Sequence, residues 1–363
     1  MTTLECMTAT PRDIVAACLN FQYPARLPRD LWLLPWAEQR HPAAVAELIQ
    51  RFPADLTTTQ YFYPPSPRVQ GDPYRAGRYI DEWGCIFISI QDGQVGEART
   101  PLLADLADWR KVRPPWEQLP LSAHDRAAAR SVISRFYEST DLYVLANICP
   151  RPWERYQFIR GSENAYYDLA DPDGGLRDLL GVIHEFNLRE LEFWAASEVD
   201  GIRFMDDWGS QDRLLIRPAL WRALFKPLYR DYCDLIHAGG KKVFMHSDGF
   251  IEEILPDLIE IGVDALNCQL FILDLDRLAQ TAKGRITFWG EIDRQHVLTA
   301  EDPEAGRAAV RRIAEKLYDP AGGLIAQFEF GLGTQPATAI AVFEEWQRWD
   351  ETHRIHPSIH SAR

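Results

Sequence analysis

The feature that most constrains the fold of this chain is the alternation of short apolar stretches with helical stretches, which runs from about residue 140 onward. KVFMH (242–246) is short and almost wholly apolar, which is typical of a strand buried on both faces. IEEILPDLIEIG (251–262) then repeats apolar residues at helical spacing. Strands that alternate with helices form a parallel sheet covered by those helices.

Counting such stretches predicts the architecture. They provide about eight strands with one to spare, and no glycine-rich GxGxxG or GxxxxGK[ST] loop favours a Rossmann fold. We therefore predict an α/β fold, a (β/α)8 TIM barrel with N-terminal helical and loop elaborations. Residues 1–350 form one domain, 60–115 elaborate the scaffold, and 351–363 form a flexible tail. The candidate strands are 31–36, 57–61, 84–90, 142–148, 200–205, 242–246, 263–267, 286–290 and 322–328.

Composition excludes several classes of function. A net charge of −14 argues against nucleic-acid and anionic-membrane partners, because both require a basic surface. No apolar run approaches the roughly 20 residues that span a bilayer. The N-terminal MTTLECMTATPRD lacks the basic and apolar parts of a secretory signal. The six cysteines contain no CxxC pair and are interpreted as reduced thiols, so a cytoplasmic location is expected.

Ionisable groups stand where the predicted strands end. In a (β/α)8 barrel the active site lies at the C-terminal ends of the strands, so these groups are expected to meet at one mouth. Groups brought together in this way shift one another's pKa values, as proton transfer or metal binding requires. The candidates are Cys149, Asp206, Asp207, His246, Asp248, Cys268, Glu291, Asp293 and Glu329.

Structural roles are the alternative for several of these residues. Asp248 or Ser247 would cap a helix that starts near Phe250, since short polar side chains accept from the first backbone N–H groups. His246 would be a hydrogen-bonded core histidine, and Cys268 a small buried apolar residue. Asp206 and Asp207 are adjacent and repel each other, so at least one of them is expected to serve the site.

Part of the sequence resembles a known superfamily. VDGIRFMDDWGSQDRLLIRPALWRALFKPLYRDYCDLIHAGGKKVFMHSDGFIEEILPDLIEIGVDALNCQL (199–270) is similar to the uroporphyrinogen decarboxylase superfamily, which also contains corrinoid- and thiol-dependent methyltransferases. FWGEIDRQHVL (288–298) and GGLIAQFEFGLG (322–333) complete the resemblance, which covers roughly residues 11–350. It implies a (β/α)8 barrel, in agreement with the strand count.

The decarboxylases of that superfamily match less well. Their arginine-rich RQAGRYLPEY segment is replaced by LPRDLWLLPWAEQR (27–40), and the similar RAGRYIDEW (75–83) comes late in the chain. The resemblance places Asp81 at the essential aspartate, and Tyr156 and Gln157 near the tyrosine on the substrate side. Glu329 and its two successors replace the late histidine of the decarboxylases.

The zinc methyltransferases bind metal through a His-x-Cys pair and a distant cysteine. Here only His246 matches, because Asp248 takes the place of the first cysteine and Phe330 or Glu329 that of the second. The resemblance therefore implies a harder metal site, with zinc bound by His246, Asp248 and Glu329 together with Cys268. Without a metal, Asp207 and His246 would act as general acid and base.

The preferred hypothesis is a methyltransferase-like enzyme that moves a methyl group from a small methylated compound to a corrinoid or thiol acceptor. The chain lacks a DxHxxG-type signature, so a separate corrinoid protein would be the partner. The resemblance is also compatible with a homodimer. The expected catalytic residues are His246, Asp206, Asp207, Asp81, Asp248 and Glu329, and the expected substrate-binding residues are Trp208, Gln211, Asn267, Tyr156 and Gln157.

Two alternatives come from other classes of function. The first is a cofactor-free decarboxylase of a porphyrinogen-like or other carboxylated substrate, in which Asp81 stabilises a protonated intermediate. Arginines at the mouth would favour it, because a porphyrinogen carries several carboxylates. The second is a barrel that has lost catalysis and only binds a ligand.

Overall fold

The structure, a computed structural model, describes residues 9–172 and 174–354. Its strands are β1 (Arg29–Leu33), β2 (Leu56–Thr58), β3 (Gly77–Ile80), β4 (Ile86–Ser89), β5 (Glu97–Thr100), β6 (Tyr143–Leu145), β7 (Gly201–Met205), β8 (Lys242–Ser247), β9 (Ala265–Cys268), β10 (Thr287–Trp289) and β11 (Leu324–Phe330). Its α-helices are α1 (Pro11–Leu19), α2 (Pro35–Arg40), α3 (Pro42–Arg51), α4 (Ala123–Glu138), α5 (Pro152–Arg160), α6 (Ser162–Asp168), α7 (Leu176–Ala195), α8 (Pro218–Leu224), α9 (Lys226–Ala238), α10 (Leu255–Glu260), α11 (Leu275–Thr281), α12 (Pro303–Leu317) and α13 (Pro336–His353).

Eight of the strands form a parallel barrel. Their order is β1-β11-β10-β9-β8-β7-β6-β2, and every neighbouring pair runs parallel. The remaining gap, between β1 and β2, is bridged by Asp55. Its N–H donates to the carbonyl of Arg29 at 2.8 Å, and its carboxylate accepts from the N–H of Arg29 at 2.7 Å. The predicted (β/α)8 barrel is confirmed.

The spare strand of the sequence count is β4. It lies between β3 and β5 in a separate antiparallel sheet, within the segment 60–115 that was predicted to be an elaboration. This sheet packs against α5 through Phe87 and Phe158, whose ring centroids are 5.0 Å apart. The insertion therefore forms one wall beside the barrel mouth.

Apolar side chains fill the barrel at the end opposite the mouth. Phe244, Trp289 and Ile325 are buried there, and Val15 of α1 belongs to the same cluster. Helix α1 thus covers the N-terminal end of the barrel. On the outer face of β7, Ile202 and other buried residues belong to the main core beneath the helices. Strands buried on both faces explain the nearly continuous apolar stretches in the sequence.

Two details differ from the sequence-based expectation. The helical stretch after Pro218 is divided into α8 and α9, and Pro227 follows the break because proline suits the first turn of a new helix. Helix α13 extends to His353, so the first residues of the predicted tail are helical. Residues 355–363 of that tail lie outside the described residues.

The expectations about membrane-spanning segments and about the cysteines can be compared with the described residues. None of the helices within 9–172 and 174–354 is both long and apolar enough to cross a membrane. Cys6 lies outside the described residues. The other cysteines are free thiols: Cys18, Cys85, Cys149, Cys233 and Cys268.

Candidate active site

The loops after β7 and β8 run side by side and continue the pairing of the two strands beyond the barrel. They approach so closely that an added Cβ on Gly209 would lie 2.1 Å from the nitrogen of Phe250. Gly249 has φ +83°, and an added Cβ there would lie 2.0 Å from the carbonyl oxygen of Gly209. Only glycine fits such positions. The loops are joined by Asp206 N–H to His246 O at 3.1 Å, Gly209 N–H to Asp248 O at 3.1 Å, and Phe250 N–H to Ser210 O at 2.7 Å.

This pairing brings two carboxylates to one histidine. His246 Nε2 lies 3.6 Å from Asp207 Oδ1 and 3.6 Å from Asp248 Oδ1. Asp207 Oδ1 also accepts from the N–H of Asp248 at 2.9 Å, which holds the two loops in register. The His246 ring is buried, whereas the side chain of Asp207 is 40% exposed, so the cluster opens toward solvent on one side.

Asn267 determines which nitrogen of His246 faces the carboxylates. The amide of Asn267 donates to the carbonyl of Trp289 at 2.5 Å and to Gln327 Oε1 at 2.9 Å. Its Oδ1 therefore accepts, and His246 Nδ1, 2.6 Å away, carries the proton. Nε2 is thus the nitrogen that faces the two carboxylates. That arrangement is repulsive unless a proton or a cation lies among the three groups.

The three groups form a candidate metal centre. One ligand atom from each of Asp207, His246 and Asp248 lies within 4.8 Å of the others. The predicted metal set is corrected in two respects. Asp207 belongs to the cluster, while Cys268 and Glu329 lie outside it among the residues that the structure describes. Cys268 is 1% exposed, and burial raises the pKa of its thiol well above the usual range.

Arg294 organises the carboxylates on the other side of the cluster. Its Nη2 donates to both oxygens of Asp248, at 2.7 and 2.6 Å. Its Nε lies 2.5 Å from Glu291 Oε1, and its Nη1 lies 3.3 Å from Glu329 Oε1. Burial raises the pKa of Glu291 well above its ordinary value, although the guanidinium of Arg294 opposes the shift. Glu329 therefore helps to position Arg294, and Arg294 orients Asp248.

The helix-cap interpretation of Asp248 is wrong. The segment that follows it begins with a short 3-10 turn at Glu252, and the N-cap of that turn, Ile251, makes no side-chain cap. The carboxylate of Asp248 is bound to Arg294 instead. The hydroxyl of Ser247 accepts from the N–H of Trp208 at 3.1 Å, so it does not cap the helix either.

Asp206 has a structural role rather than the predicted catalytic one. It is fully buried and accepts from the N–H groups of Trp153 at 2.7 Å and Glu154 at 2.8 Å, at the first turn of α5. The hydroxyl of Tyr229 donates to it at 2.6 Å. Burial raises the pKa of Asp206 well above its ordinary value, and the nearby Glu154 raises it further. Asp206 anchors α5 to β7, and only Asp207 of the adjacent pair faces the mouth.

Two of the predicted substrate-binding residues belong to the core. Trp208 is fully buried, and its Nε1 donates to the hydroxyl of Tyr229 at 2.9 Å. Tyr156 is also fully buried and donates to Asp168 at 2.7 Å. Neither has exposed surface with which to contact a substrate, so these two assignments are corrected.

The other three predicted substrate-binding residues, Asn267, Gln211 and Gln157, lie in three different environments. Asn267 is fully buried and acts through His246. Gln211 is exposed at the rim, with its Nε2 3.5 Å from Gln295 Oε1. Gln157 is half-buried on α5 and is not among the described residues that line the clefts at the mouth.

Two adjoining clefts, of about 700 and 250 Å³, lie between the barrel and the inserted sheet. Both are lined by Glu82, Cys149, Arg151 and Arg155. Glu154 lines the larger one. Burial raises the pKa of Glu154, and the charges of Arg151, Asp207 and His246 also act on it. Glu154 is therefore the residue of the larger cleft whose pKa responds to the charges of the His246 cluster.

Asp81 lies on the wall of the larger cleft. It accepts from the N–H groups of Trp83 at 3.0 Å and Cys85 at 2.7 Å, and it forms an ion pair with Arg155. Arg155 also pairs with Glu82 at 3.0 Å. The carboxylate of Asp81 is thus engaged by the turn that it closes and by Arg155.

Comparison with known proteins identifies the family. The family profile described as uroporphyrinogen decarboxylase (URO-D) matches residues 88–349. The chain belongs to the uroporphyrinogen decarboxylase family. The match confirms the resemblance seen in the sequence. It starts after Asp81, so the equivalence of this residue to the aspartate of the decarboxylases remains a prediction.

Solved structures confirm the fold of this family member. A methyltransferase from Methanosarcina mazei superposes with a TM-score of 0.64 at 12% sequence identity. The alignment covers 94% of this chain and 99% of the other. At that identity the likeness concerns the fold alone. Among curated proteins no match was found.

Two residues of the mouth, Arg294 and Glu154, were not expected from the sequence of this family member. Arg294 lies within FWGEIDRQHVL, three residues after Glu291, and this spacing allows an ion pair on one turn. Glu154 follows Pro152 in the first turn of a helix. Acidic residues are common there because the positive end of the helix dipole stabilises them. The spacing could have indicated Arg294, whereas no local signal distinguished Glu154.

Proposed function

We propose that this member of the uroporphyrinogen decarboxylase family is a metal-dependent methyltransferase. It would move a methyl group from a small methylated compound to a corrinoid or thiol acceptor. The observation that carries the proposal is the position of His246 Nε2, 3.6 Å from an oxygen of Asp207 and 3.6 Å from an oxygen of Asp248 at the ends of adjacent barrel strands. The fold shared with a methyltransferase is consistent with it.

The donor set fits a divalent metal ion. One imidazole nitrogen and two carboxylates suit zinc or a similar ion, and the hydrogen bond from His246 Nδ1 to Asn267 is the kind of outer contact that orients metal-binding histidines. Asp207, His246 and Asp248 would hold the ion, which would polarise an oxygen or thiol of the substrate by Lewis acidity. The described cluster contains no thiolate, so a thiolate-rich zinc site does not fit.

The surrounding residues have distinct tasks in this proposal. Asn267 keeps the proton of His246 on Nδ1, and Arg294 keeps Asp248 oriented toward Nε2. Glu154 lines the cleft with a pKa raised by burial, so it can hold a proton there and deliver it to a leaving group. The cleft between barrel and inserted sheet would receive the substrate.

The alternative of porphyrinogen decarboxylation fits less well. Two arginines at the mouth are already paired with carboxylates of the protein: Arg155 with Glu82 at 3.0 Å, and Arg294 with Asp248 at 2.6 Å. A substrate with several carboxylates would have to compete for each of them. A small compound makes no such demand.

The partner and the assembly remain predictions. A corrinoid would be carried by a separate protein, and the chain would act as a monomer or as the homodimer that the resemblance is compatible with. The cytoplasmic location is equally a prediction.

The proposal is tested by methyl transfer. The zinc-loaded protein is incubated with a set of small methylated alcohols, amines, thioethers and methoxy acids, with reduced cobalamin or a thiol as acceptor. Formation of methylcobalamin or of the thioether is measured by absorbance and mass spectrometry. We expect transfer from at least one donor and its loss in His246→Ala. His237→Ala is the matched control, because His237 pairs with Asp264 at 2.8 Å outside the mouth.

Two results would contradict the proposal. One is transfer that persists unchanged in His246→Ala. The other is release of carbon dioxide from carboxylated compounds, without added metal and without methyl transfer.

A further inference from the structure

One arginine inside the barrel, Arg203, has no polar partner among the residues that the structure describes. Arg203 lies on β7, two residues after Gly201, and an added Cβ on Gly201 would contact the interior side chains of Leu145 and Phe244. Alternate residues of a strand share a face, so Arg203 also points into the barrel. Met205, the next residue on this face, pairs in register with His246 on β8. The backbone of Arg203 thus lies about 7 Å further from the mouth than that of Met205, along the strand, and its side chain extends toward the His246 cluster.

The guanidinium of Arg203 makes no hydrogen bond or ion pair with any residue in 9–172 or 174–354, and its Nε is buried. Its Cζ lies 5.7 Å from the ring centroid of Trp32, a weak cation–π contact. A guanidinium has five N–H donors, and partial burial without acceptors is unfavourable. This sets Arg203 apart from Arg155 and Arg294, the paired arginines of the mouth.

Asp30, an anion whose pKa responds to the charge of Arg203, already accepts from other donors. Its carboxylate accepts from the N–H of Leu31 at 3.0 Å, from Trp32 Nε1 at 3.0 Å and from Trp289 Nε1 at 2.9 Å. The charge of Arg203 lowers the pKa of Asp30, against the larger effect of burial, but the two groups form no ion pair. Asp30 therefore holds the two indoles in place and leaves the donors of Arg203 available.

Trp32 connects Arg203 to the candidate metal centre. The ring of Trp32 lies 5.4 Å from that of His246, and the guanidinium of Arg203 lies beside the same indole. Both Trp32 and Arg203 are only half-buried, so part of each residue remains accessible for contact with a ligand. A ligand beside Trp32 could contact Arg203 at one end and the His246 cluster at the other.

We infer that Arg203 binds a single carboxylate of the substrate, whose reacting group then lies at the His246 cluster. The substrate class becomes a small methylated monocarboxylic acid with an apolar or planar body that packs on Trp32. A planar guanidinium matches a carboxylate through two parallel hydrogen bonds. The identity of the reacting group rests on the proposed function, whereas the binding of the carboxylate does not.

The test measures binding of propionate, with propionamide as the uncharged isostere. Ligand-observed NMR titrations are run at constant ionic strength in EDTA, so that no metal can bind the carboxylate. The proteins are wild type, Arg203→Met, Arg203→Gln and Arg312→Met. Arg312 is a matched control, because its Cζ also lies near a ring, 5.5 Å from Phe271, but on the outer surface.

We expect wild type and Arg312→Met to bind propionate with the same dissociation constant and to show no binding of propionamide. Arg203→Met should raise the dissociation constant for propionate at least tenfold. Arg203→Gln serves the same purpose if the methionine variant fails to fold by circular dichroism. Equal propionate binding by wild type and the Arg203 variants would overturn the inference, as would the absence of propionate binding to wild type.

Zinc binding separates this inference from the proposed function. Arg203→Met should retain the zinc stoichiometry of wild type, because Arg203 is not part of the cluster. If wild type binds propionate through Arg203 but binds no zinc, the inference stands and the proposed function fails.

Discussion

Asp206 and Asp207 are neighbours in sequence whose environments are opposite. Asp206 is fully buried and accepts three hydrogen bonds, while the side chain of Asp207 is 40% exposed and faces His246. Successive residues at a strand end point to opposite sides. Asp206 is therefore a structural anchor, whereas Asp207 is a candidate metal ligand.

Substitution should separate these two roles. Asp206→Ala would leave two backbone N–H groups and one phenol without their acceptor, so we expect the free energy of unfolding to fall by about 3 kcal/mol. Asp207→Ala would lose one hydrogen bond, from the N–H of Asp248, so we expect the free energy of unfolding to fall by about 1 kcal/mol. Urea unfolding of metal-free protein measures both. An equal loss of stability in the two variants would contradict the assignment.

At the scale of elements, the paired loops after β7 and β8 determine where the cluster forms. Gly209 and Gly249 let the backbones approach, and this approach brings Asp207 and Asp248 to one histidine. The site therefore depends on two residues that carry no side chain.

Gly249→Ala should disturb the site as well as the fold. It combines strain at φ +83° with a steric clash against Gly209, so we expect a loss of about 3 kcal/mol or more and weaker metal binding. Gly240→Ala is the matched control, since Gly240 has φ +69° but open space around its added Cβ. That variant should lose only about 1 kcal/mol and bind metal as wild type does. Urea unfolding compares the stability of the two variants, and zinc titration compares their metal binding. Equal stability and equal zinc affinity in the two variants would refute the predicted clash.

The same elements show where the sequence was informative. Strand ends could be located from apolar runs, so His246, Asp207 and Asp248 were all named as candidates. The sequence could not tell that Asp248 binds Arg294 rather than capping a helix, because that contact joins residues 46 positions apart. Nor could it place Trp208 and Tyr156 in the core, since aromatic residues suit a pocket and a core equally well.

At the scale of the whole molecule, the barrel could be predicted because alternation along the chain is a local property. Eight strands, the inserted segment and the family all follow from patterns within short stretches. The set of metal-binding residues depends on how distant strand ends converge in space. The expected set of His246, Asp248, Glu329 and Cys268 was therefore only partly in agreement with the cluster of Asp207, His246 and Asp248.

The proposed function requires the cluster of Asp207, His246 and Asp248 to bind one divalent metal ion. The most direct measurement is equilibrium dialysis of purified protein against buffered zinc, followed by elemental analysis. The proteins are wild type, His246→Ala and the control His237→Ala, whose histidine pairs with a carboxylate outside the mouth. We predict about one zinc per chain for wild type and His237→Ala, and none for His246→Ala. Equal zinc content in all three proteins, or no zinc in wild type, would contradict the claim.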